Sequence, residues 1–404
     1  MELINLEDAT EILLRKVSSL EEYEEKEILD SLGYVLGDDI YSPINNPPFN
    51  RSPLDGFSFK SICSEGATKN SPQILDVISA VYAGDYYQGE IPLGKAIKIM
   101  TGAPIPKGCD CVIRQEDVNY DEQTGILHIF NELKEFENFS FMGEDFKKGD
   151  LILKRGELLT YNHIGLLAAL GISKVKVYRK PIVGILSLGS ELTIPGEKLE
   201  EGKIYNSNLY TISSKLKYLG ADTVCYPPLE DDVDIVKNFI DSHLEEVDFF
   251  ITTGGVSVGE KDIMHEVIDE INAKKLFWKV DIQPGTPVLA SEKEGKIILS
   301  LSGNPFAALV NFELLARPIL YKLSHGAVKK TKVIFAMVKG EFKKRSIKRR
   351  FIRGYCDHGE IVVNNEKHSS GIITSLINKN ALIDIPPGTE YLNEGDIVKV
   401  ILID

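Results

Sequence analysis

The apolar positions change rhythm twice along the chain, and each rhythm predicts a different architecture. Residues 1 to about 40, beginning MELINLEDATEILLRKV, carry helical spacing and predict two helices that end at the Gly33 and Gly37 breaks. SPINNPPFNRSPLDGFSF follows, with four prolines, and reads as extended loop. Between 57 and 146 short strand-like runs dominate (FSFKSI, QILDVISAVYA, AIKIMTG, DCVIRQEDV and ILHIF), separated by Gly, Pro and Asp as in a small all-β unit. YNHIGLLAALGI returns to helical spacing with Gly171 as its stop. We expect this helix to pack back on the first one, which makes the β unit an insertion in a helical region.

From about 180 strand and helix alternate. PIVGILSLG, ADTVCYP, VDFFITTGG and KIILSLSGNP read as strands; NSNLYTISSKLKYLG, DDVDIVKNFIDSHLEEV, DIMHEVIDEINA and FAALVNFELLARPIL read as helices. Short loops between them predict an α/β domain with a mostly parallel sheet. After about 330 the strands KVIFAMVKGEF, IVVNN, ALIDIPPG and DIVKVILI predict a C-terminal β-barrel or sandwich. The expected domains are therefore 1–45 plus 147–179 (helical and linker), 46–146 (inserted β), 180–328 (α/β) and 329–404 (C-terminal β).

Composition narrows the class. With 404 residues, 43% apolar and 26% charged, the chain is that of an ordinary globular protein with several cores. No apolar run approaches the roughly 20 residues of a membrane span, and the N-terminus lacks a signal peptide's layout, so a cytoplasmic location is expected. The five cysteines form no CxxC pair and read as reduced thiols, Cys109 and Cys111 being buried or edge-strand residues. A net charge of −14 argues against a nucleic-acid binder. The one local reversal, KKRSIKRRFIRG, reads for most of its length as a solvated strand face.

Ligands of open parallel sheets bind beyond the carboxyl ends of the strands. Three such ends here are polar and glycine-rich: LGSEL, TTGGVSVGEKD and LSGNPF. Gly254 and Gly255 let backbone N–H groups approach a ligand, with Ser257 beside them; Gly303 does the same, with Asn304 as a helix cap and Pro305 at the first helical position. The same edge carries Glu191, Glu260 and Asp262, with Asp231 and Asp232 at the start of the preceding helix. Asp231 and Asp262 read equally well as helix-dipole caps or as ligands. Carboxylates beside phosphate-binding loops suit Mg²⁺, which takes one or two acids plus substrate phosphates. An acidic protein can hold an anion through such a cation.

These segments occur together, in order, with NRSPLDGFSF, IMTGAPIPKGCDCVIRQE, MGEDFKKGD and FWKVDIQPGTP. The set resembles the molybdopterin molybdenumtransferase (MoeA) family, related to the E domain of gephyrin, over essentially the whole chain. The resemblance implies a central three-layer α/β domain of the molybdopterin-binding type and an elongated homodimer. The reaction implied is Mg²⁺-dependent insertion of molybdate into adenylylated molybdopterin, giving molybdenum cofactor and AMP, with contact to a molybdopterin adenylyltransferase. By motif it implies catalytic roles for Asp55, Thr101, Asp145, Glu191, Asp231 and Asp262, the last three as Mg²⁺ ligands. Gly254, Gly255, Ser257, Lys279, Gly303, Asn304, Pro305, Arg353 and Ser370 would bind substrate, Arg353 and Ser370 reaching across the dimer.

This chain departs from the family pattern at several places. Gln283 and Thr286 stand in QPGTP where lysines are common, Ser302 stands for a proline, Phe306-Ala307 removes a hydroxyl, Ser190 replaces a frequent acid, and LDGFS has Phe for Tyr. Loss of two cations should weaken oxyanion binding by about 1–3 kcal/mol if they were partly buried. Lys279, Arg353, Lys348 or Arg349 are the expected replacements. LDGF also reads as a structural turn with Asp55 as its cap. A molybdopterin adenylyltransferase, a tungstate-using paralogue and a peptide-binding scaffold are the competing readings; the retained acids count against the scaffold.

Overall fold

Strands buried on both faces need near-continuous apolar runs, and IVGILS and FFITT are such runs. In the computed structural model, which describes residues 3–256, 263–363 and 369–403, they lie at the centre of a six-stranded sheet. The strand order is Asp222–Cys225, Ile182–Ser187, Phe249–Thr253, Lys296–Leu301, Leu289–Lys293, Lys274–Trp278. The first four strands run parallel, and Leu289–Lys293 pairs antiparallel with both of its neighbours. That antiparallel edge was not expected from the sequence; its strands flank the Gln283–Pro287 loop.

Alternation along the strands makes three layers. Val183, Ile185, Phe249, Ile251 and Leu299 join one core with Leu209, Ile212 and Leu216 of the Ser207–Tyr218 helix. Leu186, Phe250 and Ile298 face the other way, onto Val236 and Ile240 of the Val233–His243 helix and Val267 and Ile268 of Met264–Glu270. The register pairs Ser187 with Thr253 and Thr253 with Leu301, so three strands end at one level. Their loops are thereby brought to a common edge.

Two N-terminal expectations are corrected. The Leu6–Lys16 helix forms, capped by Asn5, but the second helix does not: Tyr23–Glu27 is a strand paired antiparallel with Lys174–Tyr178. Nor is the first helix partnered as expected. Leu6, Ala9, Leu13 and Val17 belong to the α/β core, and Leu167, the buried residue of the Tyr161–Ala169 helix, lies outside that cluster.

The C-terminal strands close into a barrel. Arg349–Asp357, Glu360–Val363, Lys332–Gly340, Ile397–Leu402 and Ala381–Ile385 pair in sequence, and Ala381–Ile385 pairs back onto Arg349–Asp357. Ile282–Gln283 adds to it in parallel at Arg349 and Arg350. The basic run enters a barrel strand at Arg349: Lys343, Lys344 and Arg345 before it are exposed, whereas Arg353 is 3% exposed. No helix among the described residues is long and apolar enough to cross a membrane.

The chain divides into two units: Met1–Asp38, Gly156–Gly165 and Ser173–Asp404 form the one above, and Asp39–Arg155 with Leu166–Ile172 form the second. The second holds a six-stranded sheet, ordered Cys111–Arg114, Gly56–Phe59, Lys95–Ile99, Gln73–Val81, Ile126–Ile129, Val118–Asp121. Phe57, Phe59, Leu75, Cys111 and Leu127 fill one of its cores.

Candidate active site

The three aligned strand ends are laced together by main-chain bonds. Leu188 N–H donates to Thr253 (2.8 Å), Gly254 N–H to Leu301 (3.1 Å) and Gly189 N–H to Leu229 (3.0 Å). At Gly254, φ is +92° and an added Cβ would lie 2.4 Å from the Leu188 carbonyl oxygen, so only glycine fits. A Cβ at Gly303 would lie 3.6 Å from the Gly254 Cα, and the Asn208 amide donates to the Gly303 carbonyl at 2.7 Å. Backbone meets backbone here.

Above this floor lies a cavity of about 760 Å³. Glu191, Asp231, Gly254, Gly255, Gly303, Asn304, Pro305 and Ser370 all line it, as do Asn206 and Asn208. Asp232, not Asp231, caps the following helix, accepting from Ile235 N–H at 2.9 Å. That settles the cap reading of Asp231 in favour of its neighbour and leaves Asp231 on the cavity wall. Asn304 stands at the N-cap position, yet its side chain makes no capping bond; its N–H instead donates to Ser302 Oγ at 3.4 Å. The serine in place of proline therefore closes this turn by a hydrogen bond.

The barrel supplies the opposite wall. Ser370 carbonyl accepts from Phe306 N–H (2.9 Å), and Arg353 stacks 4.3 Å from the Phe306 ring while donating to the Ser369 carbonyl at 3.0 Å. Burial lowers the Arg353 guanidinium pKa. Within one chain Ser370 lines the cavity, and Arg353 packs on Phe306, between the lining residues Pro305 and Ala307. Lys279 is placed differently from expectation. It has φ +67°, its ammonium lies 3.8 Å from the Trp278 ring centroid, and it is not among the cavity's lining residues.

The departures in QPGTP are also occupied. Thr286 donates its hydroxyl to Ile282 carbonyl, and Gln283 Oε1 accepts from Arg350 at 2.9 Å. Lys348 and Arg349, expected to compensate for the missing lysines, are paired elsewhere, with Asp281 and with Asp384 and Glu7. Arg350, which the sequence reading passed over, has no ion pair among the described residues and sits beside this loop. Its only signal was membership in a basic run.

Ser257 and Asp262 lie outside the described residues. Asp55, Thr101 and Asp145 fall in the second unit. There the Thr101 N–H and hydroxyl both donate to Asp55 at 2.7 Å, which holds the Asp55 carboxyl below the usual aspartate range. Asp145 accepts from the Asn46 amide at 2.9 Å. Burial pushes the Cys109 thiol up to about 12 and raises Cys111 too, so neither is a ready thiolate.

Comparison with known proteins agrees with this layout. Three family models match in order: the MoeA N-terminal region (domain I and II) over residues 4–171, a probable molybdopterin binding domain over 184–322, and the MoeA C-terminal region (domain IV) over 336–403. A molybdopterin molybdenumtransferase of Staphylococcus epidermidis is 36% identical over 93% of this chain and 90% of its own length. One from Staphylococcus aureus is 33% identical with the same coverage. The crystal structure of a molybdopterin biosynthesis MoeA protein from Pyrococcus horikoshii is 31% identical, covers 100% of both chains and superposes with a TM-score of 0.86.

Proposed function

The chain belongs to the MoeA family, and from that premise we propose that it is a molybdopterin molybdenumtransferase, inserting molybdate into adenylylated molybdopterin with release of AMP. The observation that carries the reading is the single cavity where three glycine-floored strand ends meet Glu191 and Asp231. Backbone groups at Gly254, Gly255 and Gly303 suit the nucleotide's phosphates, and Pro305 starts a helix whose positive end faces the same space.

The acids fit Mg²⁺. Glu191 and Asp231 are oxygen donors on one wall, the one or two carboxylates that the ion takes alongside phosphate oxygens. Bound there, Mg²⁺ would act as a Lewis acid on the phosphoanhydride. Asp262 would join this set. The residues' own work is to seat the nucleotide on the floor, to orient water near Glu191, and to keep the barrel wall against the cavity through Arg353, Phe306 and Ser370.

Molybdate, a tetrahedral dianion, calls for donors rather than acids. With Thr286 turned to its own backbone, Arg350 and the helix starts are the donors that this chain offers in place of the missing lysines. Roles for Asp55, Thr101 and Asp145 in turnover, a homodimeric working form and receipt of substrate from a molybdopterin adenylyltransferase rest on the family resemblance and are proposed with it. A cytoplasmic location is supported by five scattered free thiols. Incubation with adenylylated molybdopterin, Mg²⁺ and either molybdate or tungstate tests the reading. AMP release that depends on the oxyanion is expected; intact substrate with both oxyanions would sink it.

A further inference from the structure

Asn206 is 2% exposed, lines the cavity and is only half satisfied. Its Oδ1 accepts from the Leu209 N–H and from the Ser187 hydroxyl, each at 3.2 Å. Ser187 has one hydroxyl hydrogen. Since it goes to Asn206, the Thr253 hydroxyl 3.0 Å away donates to Ser187, and the bonds run in one direction from Thr253 through Ser187 to the Asn206 carbonyl. Turning the carboxamide over would set its NH₂ against the Leu209 N–H, which can only donate, so the orientation is fixed. At the other end, Nδ2 has no hydrogen-bond partner among the described residues. Leaving a buried amide N–H without an acceptor is costly, and the cavity it lines is where an acceptor can stand.

Resting on the reading of this cavity as the substrate site, we propose that Asn206 Nδ2 donates to an oxygen of the bound tetrahedral oxyanion, either the nucleotide phosphate or molybdate. The oxyanion then sits at the start of the Ser207–Tyr218 helix, whose 12 residues direct a positive end toward it. Ser207 and Asn208 line the same wall. An amide is suited to this place because it adds a donor without adding charge. A lysine there would compete with the cation for Glu191 and Asp231, and a carboxylate would repel the anion. The residue thus has two functions that separate by atom: Oδ1 caps the helix, and Nδ2 reads the ligand.

That separation makes the test. Asn206→Ser retains a capping acceptor and removes the donor; Asn206→Asp retains the cap and places a negative charge where the donor stood. The full chain and both variants are titrated calorimetrically with AMP, with adenosine and with molybdate, and their melting temperatures are recorded. Asn206→Ser should bind AMP roughly 10-fold more weakly, and Asn206→Asp more weakly still, with adenosine affinity and melting temperature nearly unchanged. A loss confined to molybdate assigns the donor to that oxyanion instead of the phosphate. AMP and molybdate binding equal to wild type in either folded variant overturns the proposal. A wild-type protein that binds neither AMP nor molybdate overturns the reading beneath it.

Discussion

The strand-end rim and the C-terminal barrel both carry acids, and they treat them in opposite ways. In the barrel, Asp384 is 5% exposed. Arg349 holds both its oxygens at 2.8 and 2.7 Å, and Lys399 adds a contact at 3.2 Å. Burial alone would raise the Asp384 carboxyl; the two cations more than reverse that and hold it low. At the rim, Glu191 is exposed and has no ion pair among the described residues, although it lines the candidate active-site cavity. The barrel neutralises its own charge, whereas the rim leaves charge to be met from outside. Saturation therefore separates acids that hold the fold from acids that await a ligand.

The contrast can be broken most forcefully at Glu191. Glu191→Gln should lower oxyanion-dependent AMP release by about 10²–10³-fold while leaving the thermal melt in place. A collapsed melt with normal specific activity of the surviving fraction would class it with Asp384. The reciprocal change, Asp384→Asn, strips a buried pair and should cost about 2–3 kcal/mol in urea unfolding, with KM for the nucleotide unmoved. A shifted KM without lost stability would reverse the assignment.

A subtler test uses pH. The folded Asp384 pKa lies below the ordinary value of 3.8, so its stabilisation is present above 3.8 and is lost as pH falls through the folded value. The stability gap between wild type and Asp384→Asn should be constant from about pH 5 to 7 and narrow below about pH 4. A gap that widens on acidification would mean the carboxyl works by something other than its charge.

Much of the α/β domain was legible because a doubly buried strand followed by glycine has few other readings; VDFFITTGG and KIILSLSGNP are both of this kind. The YEEKE strand was not. Glu and Lys favour helix in isolation, and the choice is made by a partner at Lys174–Tyr178, some 150 residues away, that no local window contains. RRFIRG misled for a related reason: the partners of Arg349 and Arg350, namely Glu7, Asp384 and Gln283, are all distant in sequence. At the site, Glu191, Asp231 and the glycine turns were readable from type and position. Asn206 was not, since Asn at a helix start looks like a cap until both partners of its oxygen are known. Arg350 likewise gains meaning only from its bond to Gln283.

The close approach of Gly254, Gly303 and the Asn208 amide has a consequence for how such a protein can diverge. With the Gly254 main chain pressed against that of Leu188, this part of the base holds nothing that a point mutation can exchange without breaking the mould. Discrimination between one guest and another must be written on the walls, at places such as Asn206, Gln283 and Thr286. A descendant handling a new cargo would keep the casting and recut only its lip.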